Sequence, residues 1–501
     1  MRLRFAATVA VLSLLLSGCS TDVSHPKIAL DDGYPKEFSS YYQQQVSFEG
    51  CGQNLYCANI KVPMDWNEPS SPAIEIATIY RKADAEPKGF ILFNPGGPGS
   101  SGFDWVENSS DYLGTEKLRK NFNLVGFDPR GVGRSSSVKC LENSGYDEFL
   151  YGESGYPLGS EEDIQITRDV ISDFASKCLE NTGELLGYVD TVSAAKDMDV
   201  IRAVLGESKL NYLGYSYGTF LGTTYATLFP ERVGRFVLDG AIDPYVSEEE
   251  QTRLQLTAFE NSLKAFLARC DEFGDCPFTG NIENDLAKIK TLFLAIENRP
   301  LPTSSGRELT IWAAVTGLIM PLYSEDYWPA LSKAFAEAFK GKGDTFLDLA
   351  DYYNDRGEDG KYTTNLIAAN FAVSCLDSRS DSSAVAMAEE NERVIAAAPT
   401  IGRYWQFGAL RCENWPFPKA QRPESYAAEG AETILVIGTT GDPATPYSQA
   451  VSLANDVLAN AFLVSYEGEG HTIYGQGVEC VDDAVDNFFV SGELPASDPR
   501  C

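Results

Sequence analysis

Histidine is almost missing from this chain: its 501 residues contain two, His25 and His471. With so few imidazoles and no Cys-x-x-Cys pair, a zinc site is a weak reading. Basic residues are also scarce, 40 against 72 acidic ones, for a net charge of -32. A surface this negative repels phosphate backbones and argues against nucleic acid as a partner. It argues equally against holding anionic lipid by charge, and its plain consequence is solubility. No stretch is apolar enough to cross a bilayer. There is no internal repeat and no long low-complexity tract. Nothing points to a metal, nucleotide or redox cofactor.

What is present is globular in character, 44% hydrophobic and 12% aromatic, and able to build a packed core. The length suits one large core carrying an insertion. At the N-terminus Arg2 and Arg4 precede an apolar stretch, Phe5 to Leu16, too short to span a bilayer comfortably. It ends in Leu16-Ser17-Gly18-Cys19, which resembles a bacterial lipobox. That resemblance implies a signal peptide over 1–18, acylation of Cys19, export, and a lipid anchor at the cell membrane or envelope. Setting Cys19 aside, ten of the 11 cysteines remain, an even number that suits disulfides in an oxidising compartment. Cys51 with Cys57, Cys270 with Cys276 and Cys480 with Cys501 are pairs close in sequence. The connectivity of Cys140, Cys178, Cys375 and Cys412 stays open.

After a polar tether over 19–40, strands alternate with helices. Apolar or β-branched runs mark strands at Ile74 to Tyr80, Gly89 to Phe93, Asn123 to Phe127, Leu210 to Leu213 and Phe236 to Leu238. Helical spacing appears over Thr191 to Leu205 and from about Thr219 to Leu228. This alternation predicts an α/β fold: a mostly parallel sheet with helices on both faces. After Asp243 the texture changes. Ser247-Glu248-Glu249-Glu250 is a capping box, and amphipathic patterns follow at 248–269, 284–298, 310–321, 329–340 and 382–397. Strand patterns return at Glu432 to Gly438 and Ala461 to Tyr466, and a last helix at 480–490. The expected organisation is a core over 41–245, a helical lid over 246–424, and the rest of the core over 425–501.

Gly214-Tyr215-Ser216-Tyr217-Gly218 fits the G-x-S-x-G nucleophile elbow, and Ser216 alone in the chain satisfies that pattern. Small residues are needed two positions either side because the strand-to-helix turn is tight and strained. A serine hydroxyl attacks well only when a base takes its proton. His25 lies in the tether, so the base is His471, just past the last predicted strand. The acid belongs between serine and histidine in chain order, at the end of a core strand. Asp442, four residues beyond Gly438, is the candidate; Asp239 and Asp243 are the runners-up. An oxyanion hole needs two N–H donors. Tyr217 supplies one, and the glycine-rich loop Asn94 to Gly102 supplies the other through Gly97, with Gly96 as the alternative. A phosphate-binding reading of that loop is poor, since no Gly-Lys-Ser/Thr follows.

Asn94-Pro-Gly-Gly-Pro-Gly-Ser-Ser-Gly102, Asp128-Pro-Arg-Gly-Val-Gly-Arg-Ser135, Gly214-Tyr-Ser-Tyr-Gly218, Asp442-Pro-Ala-Thr-Pro446 and Gly470-His471-Thr472 occur in that order. Together they resemble the secreted tripeptidyl aminopeptidases of actinobacteria, relatives of proline iminopeptidase that include mycobacterial cell-envelope serine hydrolases. Glu479 to Asp482, and Leu494-Pro495 through Cys501, resemble the terminal domain of that group. The likeness spans most of the expected mature chain, from Cys19 onward, except the lid. It implies an α/β-hydrolase fold and a serine peptidase that releases short peptides, tripeptides in the family, from substrates with a free N-terminus through an acyl-enzyme. A carboxylesterase or lipase acting on envelope esters is the alternative, because the same triad serves both. Proline iminopeptidases carry a histidine before Gly-Gly-Pro-Gly; Pro95 stands there instead, which weakens a proline-specific assignment. An exopeptidase needs carboxylates to hold the substrate ammonium. Asp377, in Val373-Ser374-Cys375-Leu376-Asp377, resembles a recurring Cys-x-Asp segment of the family and is the candidate binding residue. The plainer reading is a solvated carboxylate beside a disulfide.

Overall fold

The computed structural model describes residues 33–501, so the expected signal peptide, Cys19, His25 and most of the tether lie outside the described residues. Nine strands form the main sheet: β1 (Glu49–Gly52), β2 (Leu55–Pro63), β3 (Ala73–Arg81), β4 (Phe90–Asn94), β5 (Asn123–Phe127), β6 (Leu210–Tyr215), β7 (Val233–Asp239), β10 (Ile434–Gly441) and β11 (Ala461–Glu469). A separate hairpin joins β8 (Leu301–Pro302) to β9 (Glu308–Leu309). The order across the main sheet is β1-β2-β3-β5-β4-β6-β7-β10-β11. From β5 onward every pairing is parallel. The edge from β1 to β3, and the β3–β5 pairing, are antiparallel. The sequence pattern missed β2, because Asn59 and Lys61 interrupt any apolar run at this part-exposed edge.

The central strands read as unbroken apolar runs because both faces are covered. Leu92, Tyr212, Phe236 and Val436 point into one apolar cluster. Their neighbours Ile91, Leu213, Val237 and Leu435 point into another on the opposite face, as the two-residue period of a strand requires. Helix Thr191–Val204 opens at Asp190, whose side chain accepts the Ser193 N–H, a standard cap. Helix Tyr217–Leu228 begins two residues earlier than its apolar pattern suggests, directly after the turn at Ser216.

Between β7 and β10 the chain is mostly helical, with connecting loops and the small hairpin. It contains Glu248–Arg269, Ile282–Asn298, Ile311–Ile319, Trp328–Ala338, Asp344–Tyr353, Leu366–Asp377 and Ala384–Ala397. Ser247 accepts the Glu250 N–H, so the capping box forms. Phe266, Phe293, Trp328, Phe335 and Phe346 give this insertion its own apolar core. Helix Leu366–Asp377 behaves differently: Ala368, Ala372, Val373 and Leu376 pack into the core beside the sheet. Its sequence is apolar or small on nearly every side, so no stripe at helical spacing advertises it.

All ten cysteines of the described chain are paired. The three pairs near in sequence form, and the remaining four join as Cys140–Cys178 and Cys375–Cys412.

Candidate active site

β6 ends at Tyr215 and the next helix starts at Tyr217, so Ser216 alone turns the chain. Its φ of 54° and ψ of -124° are costly for a residue with a side chain, of order 1–3 kcal/mol. The flanking glycines make the turn possible. A Cβ on Gly214 would stand 2.4 Å from Gly218 O, and one on Gly218 would stand 2.7 Å from Asn94 O. The Ser216 N–H donates to Asp239 O at 2.9 Å, fixing the turn to the end of β7.

His471 follows β11, and Asp442 follows β10. His471 Nδ1 lies 2.9 Å from both carboxylate oxygens of Asp442. The carboxylate is wholly buried and also accepts the N–H groups of Ala444 and Thr445 at 2.8 Å and the Thr445 hydroxyl at 3.0 Å. An Nδ1 proton shared with this carboxylate leaves Nε2 as the acceptor. Burial pushes the imidazole pKa down, but the charge and hydrogen bond of Asp442, with the charge of Asp239, outweigh it and hold His471 above its ordinary value. A Cβ on Gly240 would lie 3.1 Å from His471 Cε1, so the ring sits beside the strand end that anchors Ser216. No hydrogen bond joins Ser216 Oγ to His471 among the described residues; such contacts commonly tighten only with substrate.

Of the two runner-up acids, Asp239 accepts the N–H groups of Ile473 and Tyr474. Asp243 accepts the Tyr245 N–H and the Ser452 hydroxyl. Neither bonds to the imidazole ring.

Gly97, Tyr217 and Ser216 line one cavity of ≈ 580 Å³. The Gly96 N–H is committed to Asn94 Oδ1 at 3.0 Å, which favours Gly97 as the loop's donor. Tyr217 is the first residue of its helix, where an N–H lacks an intrahelical acceptor. The Asp128 motif supports this loop from behind: the carboxylate accepts the Ser101 hydroxyl and the N–H groups of Phe103 and Arg134. Gly97, Gly99 and Gly102 also fall at the spacing of a dinucleotide-binding turn. Leu366 O and Asn370 N stand 2.9 and 3.1 Å from where a Gly99 Cβ would be, and this close packing crowds out a pyrophosphate.

Asp377 ends helix Leu366–Asp377 and lines the same cavity. It is buried rather than solvated. Oδ1 accepts the Thr191 N–H at 3.0 Å, Oδ2 accepts the Thr191 hydroxyl, and that hydroxyl meets Tyr217 OH. Burial pushes the Asp377 carboxyl up to about 7, against the lowering pull of the Thr191 hydroxyl. Glu248 and Glu249 line the cavity too; in the sequence they read only as helix-capping residues. Glu248 accepts the Ser378 hydroxyl at 3.0 Å. Glu249 is held below the usual carboxylate range: burial opposes this, but hydrogen bonds from its own N–H and from Ser380 and Ser247 outweigh it. The cavity also carries the cations Arg379, Arg411, Lys419 and Arg422; Arg411 donates to Asn370 Oδ1, and among the described residues its Nε has no partner. Arg379 donates to the carbonyls of Cys375, Trp415 and Phe417, and Arg422 to Pro244 O and Tyr426 OH.

Two further contacts hold His471. Tyr323 O, from the insertion, accepts the His471 N–H at 2.8 Å. Thr445 hydroxyl lies 3.3 Å from His471 Nδ1 as well as beside Asp442; its place in Asp442-Pro-Ala-Thr445 was the available signal.

A family model for the alpha/beta hydrolase fold matches residues 89–478. The chain belongs to the α/β-hydrolase family. Serine protease Hip1 of Mycobacterium tuberculosis is 32% identical over 516 residues, covering 99% of this chain and 96% of that protein. Carboxylesterase B of the same species is 36% identical over 455 residues, covering 89% and 86%. A tripeptidyl aminopeptidase of Streptomyces lividans is 28% identical over 479 residues, covering 91% and 86%. This α/β hydrolase is a serine hydrolase, in keeping with the resemblance its motifs carry.

Proposed function

We propose that this hydrolase is a serine aminopeptidase that releases short peptides, tripeptides by analogy with its relative, from substrates with a free N-terminus. The observation that carries the reading is the placing of Glu248, Glu249 and Asp377 in one cavity with Ser216, Gly97 and Tyr217. Carboxylates on one wall hold an ammonium; the nucleophile on another meets a carbonyl a fixed distance down the chain. In the reaction, Ser216 Oγ attacks that carbonyl while His471 Nε2 takes the hydroxyl proton. The N–H groups of Gly97 and Tyr217 receive the negative oxygen. The tetrahedral adduct expels the amine, which collects the proton from His471, and leaves the peptide esterified to Ser216. Water, deprotonated by the same imidazole, then frees the peptide and restores the serine. Asp442 holds the imidazole tautomer and stabilises its charged form.

The carboxylesterase reading is kept alive by the 36% identical relative of that name. The charged wall argues for peptide, since an ester of an apolar acid would leave those carboxylates facing hydrocarbon. Tripeptidyl and single-residue anilides, each with a free or acetylated N-terminus, and short-chain aryl esters separate the two. Cleavage confined to free-amine peptides supports the aminopeptidase; ester turnover alone moves the function to the carboxylesterase. Export and anchoring through Cys19 belong to the same proposal and rest on the lipobox. A Cys19→Ala chain that still enters the detergent phase on partitioning would remove the anchor.

A further inference from the structure

A second carboxylate lies behind His471 that the triad does not use. Asp239 ends β7 and is fully buried. Its Oδ2 accepts the N–H groups of both Ile473 and Tyr474 at 2.8 Å. Between them and the base, Thr472 adopts a φ of 64°. The chain therefore reverses directly after His471 and lays its next two N–H groups on this one oxygen. The carbonyl of the same residue accepts the Ser216 N–H. Asp239 thus holds the backbone of the nucleophile with one group and the loop of the base with another.

We propose that Asp239 is a positioning residue: it registers the Ser216 turn against the His471 loop and keeps a second buried negative charge behind the imidazole. The inference rests on His471 being the base. Hydrogen bonding alone does not call for a carboxylate here, because an asparagine oxygen would accept the same two N–H groups. Among the described residues Asp239 Oδ1 has no hydrogen-bond partner, which makes the buried charge still more expensive. What the acid adds over the amide is its charge. The ionisable groups around the pair are His471 and Asp442 beside it, Tyr215 from β6, Tyr474 from the loop with Asp486 behind it, Asp482 from the last helix, and Tyr323 from the insertion. Burial pushes the Asp239 carboxyl up to about 6, while the two N–H groups and His471 pull the other way. Above that pH Asp239 is charged and adds to Asp442 in keeping the proton on His471. The catalytic base is then stronger than Asp442 alone would make it.

The test is the pH profile of kcat/KM for the full chain, Asp239→Asn, Asp239→Ala and His471→Gln. In Asp239→Asn the imidazole loses its proton more easily, so the acid limb moves to lower pH by roughly 0.5 unit or more, with kcat a few-fold lower. In Asp239→Ala both N–H groups lose their acceptor and kcat falls about 100-fold while KM stays within about twofold. Should the alanine variant not fold, the near-isosteric asparagine variant carries the test by itself. A profile of Asp239→Asn that superposes on the parent, or a change in KM with kcat unmoved, overturns the proposal. An active His471→Gln would instead defeat the assignment of the base. An inactive His471→Gln with an unshifted Asp239→Asn limb would defeat only the role of Asp239.

Discussion

The carbonyl of Tyr323 accepts the N–H of His471 at 2.8 Å, and the Tyr323 ring stands edge-on to the imidazole at 5.5 Å between centroids. Tyr323 belongs to the helical insertion, so the insertion braces His471 as well as lining the cavity. Its ring contact is worth about 0.5–1.5 kcal/mol by analogy with aromatic pairs. Tyr323→Ala is expected to lower kcat roughly 2- to 10-fold, whereas Tyr323→Phe, which loses only the hydroxyl contact to Tyr353, should stay near the parent. Steady-state kinetics with one free-amine peptide anilide would check both; equal losses would place the effect in the hydroxyl instead.

Thr445 offers a smaller and cleaner change. Its hydroxyl is 3.0 Å from Asp442 Oδ2, while its N–H bonds to Oδ1. Thr445→Val keeps the shape and the N–H bond and removes one neutral-to-charged hydrogen bond. The expected loss is about 1–2 kcal/mol, roughly 5- to 30-fold in kcat/KM. Unchanged kinetics would show that the remaining donors suffice to hold the carboxylate.

Asp377 makes a prediction about stability with a definite sign. Its folded pKa is raised to about 7 from the ordinary carboxyl value of 3.8. The folded state therefore binds the proton more tightly than the unfolded chain. The stability this contributes is complete below about pH 4 and is lost as pH rises through 7. Asp377→Asn does not titrate, so its melting temperature relative to the parent should rise between pH 5 and pH 8. A constant difference across that range would mean that Asp377 is ionised throughout.

These groups differ in how far the sequence reveals them. The proposed nucleophile, base and acid, Ser216, His471 and Asp442, stand in short motifs with fixed spacing to a strand end, and the structure brings Asp442 and His471 into contact. The elbow is legible because its geometry admits only glycine at two positions. The brace from Tyr323 is a main-chain contact, and any residue type could make it, so no side-chain pattern marks it. Glu248 and Glu249 carry a local signal, the helix cap, which masks their second place on the cavity wall. Helix Leu366–Asp377 is invisible to periodicity for the opposite reason: it is buried nearly all round.

That helix is pinned by Cys375–Cys412, which closes a loop of 37 residues. Chain entropy gives such a crosslink about 4 kcal/mol. Replacing both cysteines by serine should lower the denaturant midpoint and raise KM for free-amine substrates, because Asp377 lies two residues along. A lower midpoint with KM unmoved would separate the disulfide from the binding site.

The central claim is stepwise removal of peptides from a free N-terminus through Ser216. The most direct measurement is time-resolved mass spectrometry of a peptide of about ten residues, presented with its amine free and acetylated, to the parent and to Ser216→Ala. The account predicts that the free peptide loses N-terminal tripeptides in succession, that the acetylated peptide stays intact, and that Ser216→Ala cleaves neither. Internal cleavage, equal cleavage of the acetylated peptide, or turnover by Ser216→Ala would contradict it.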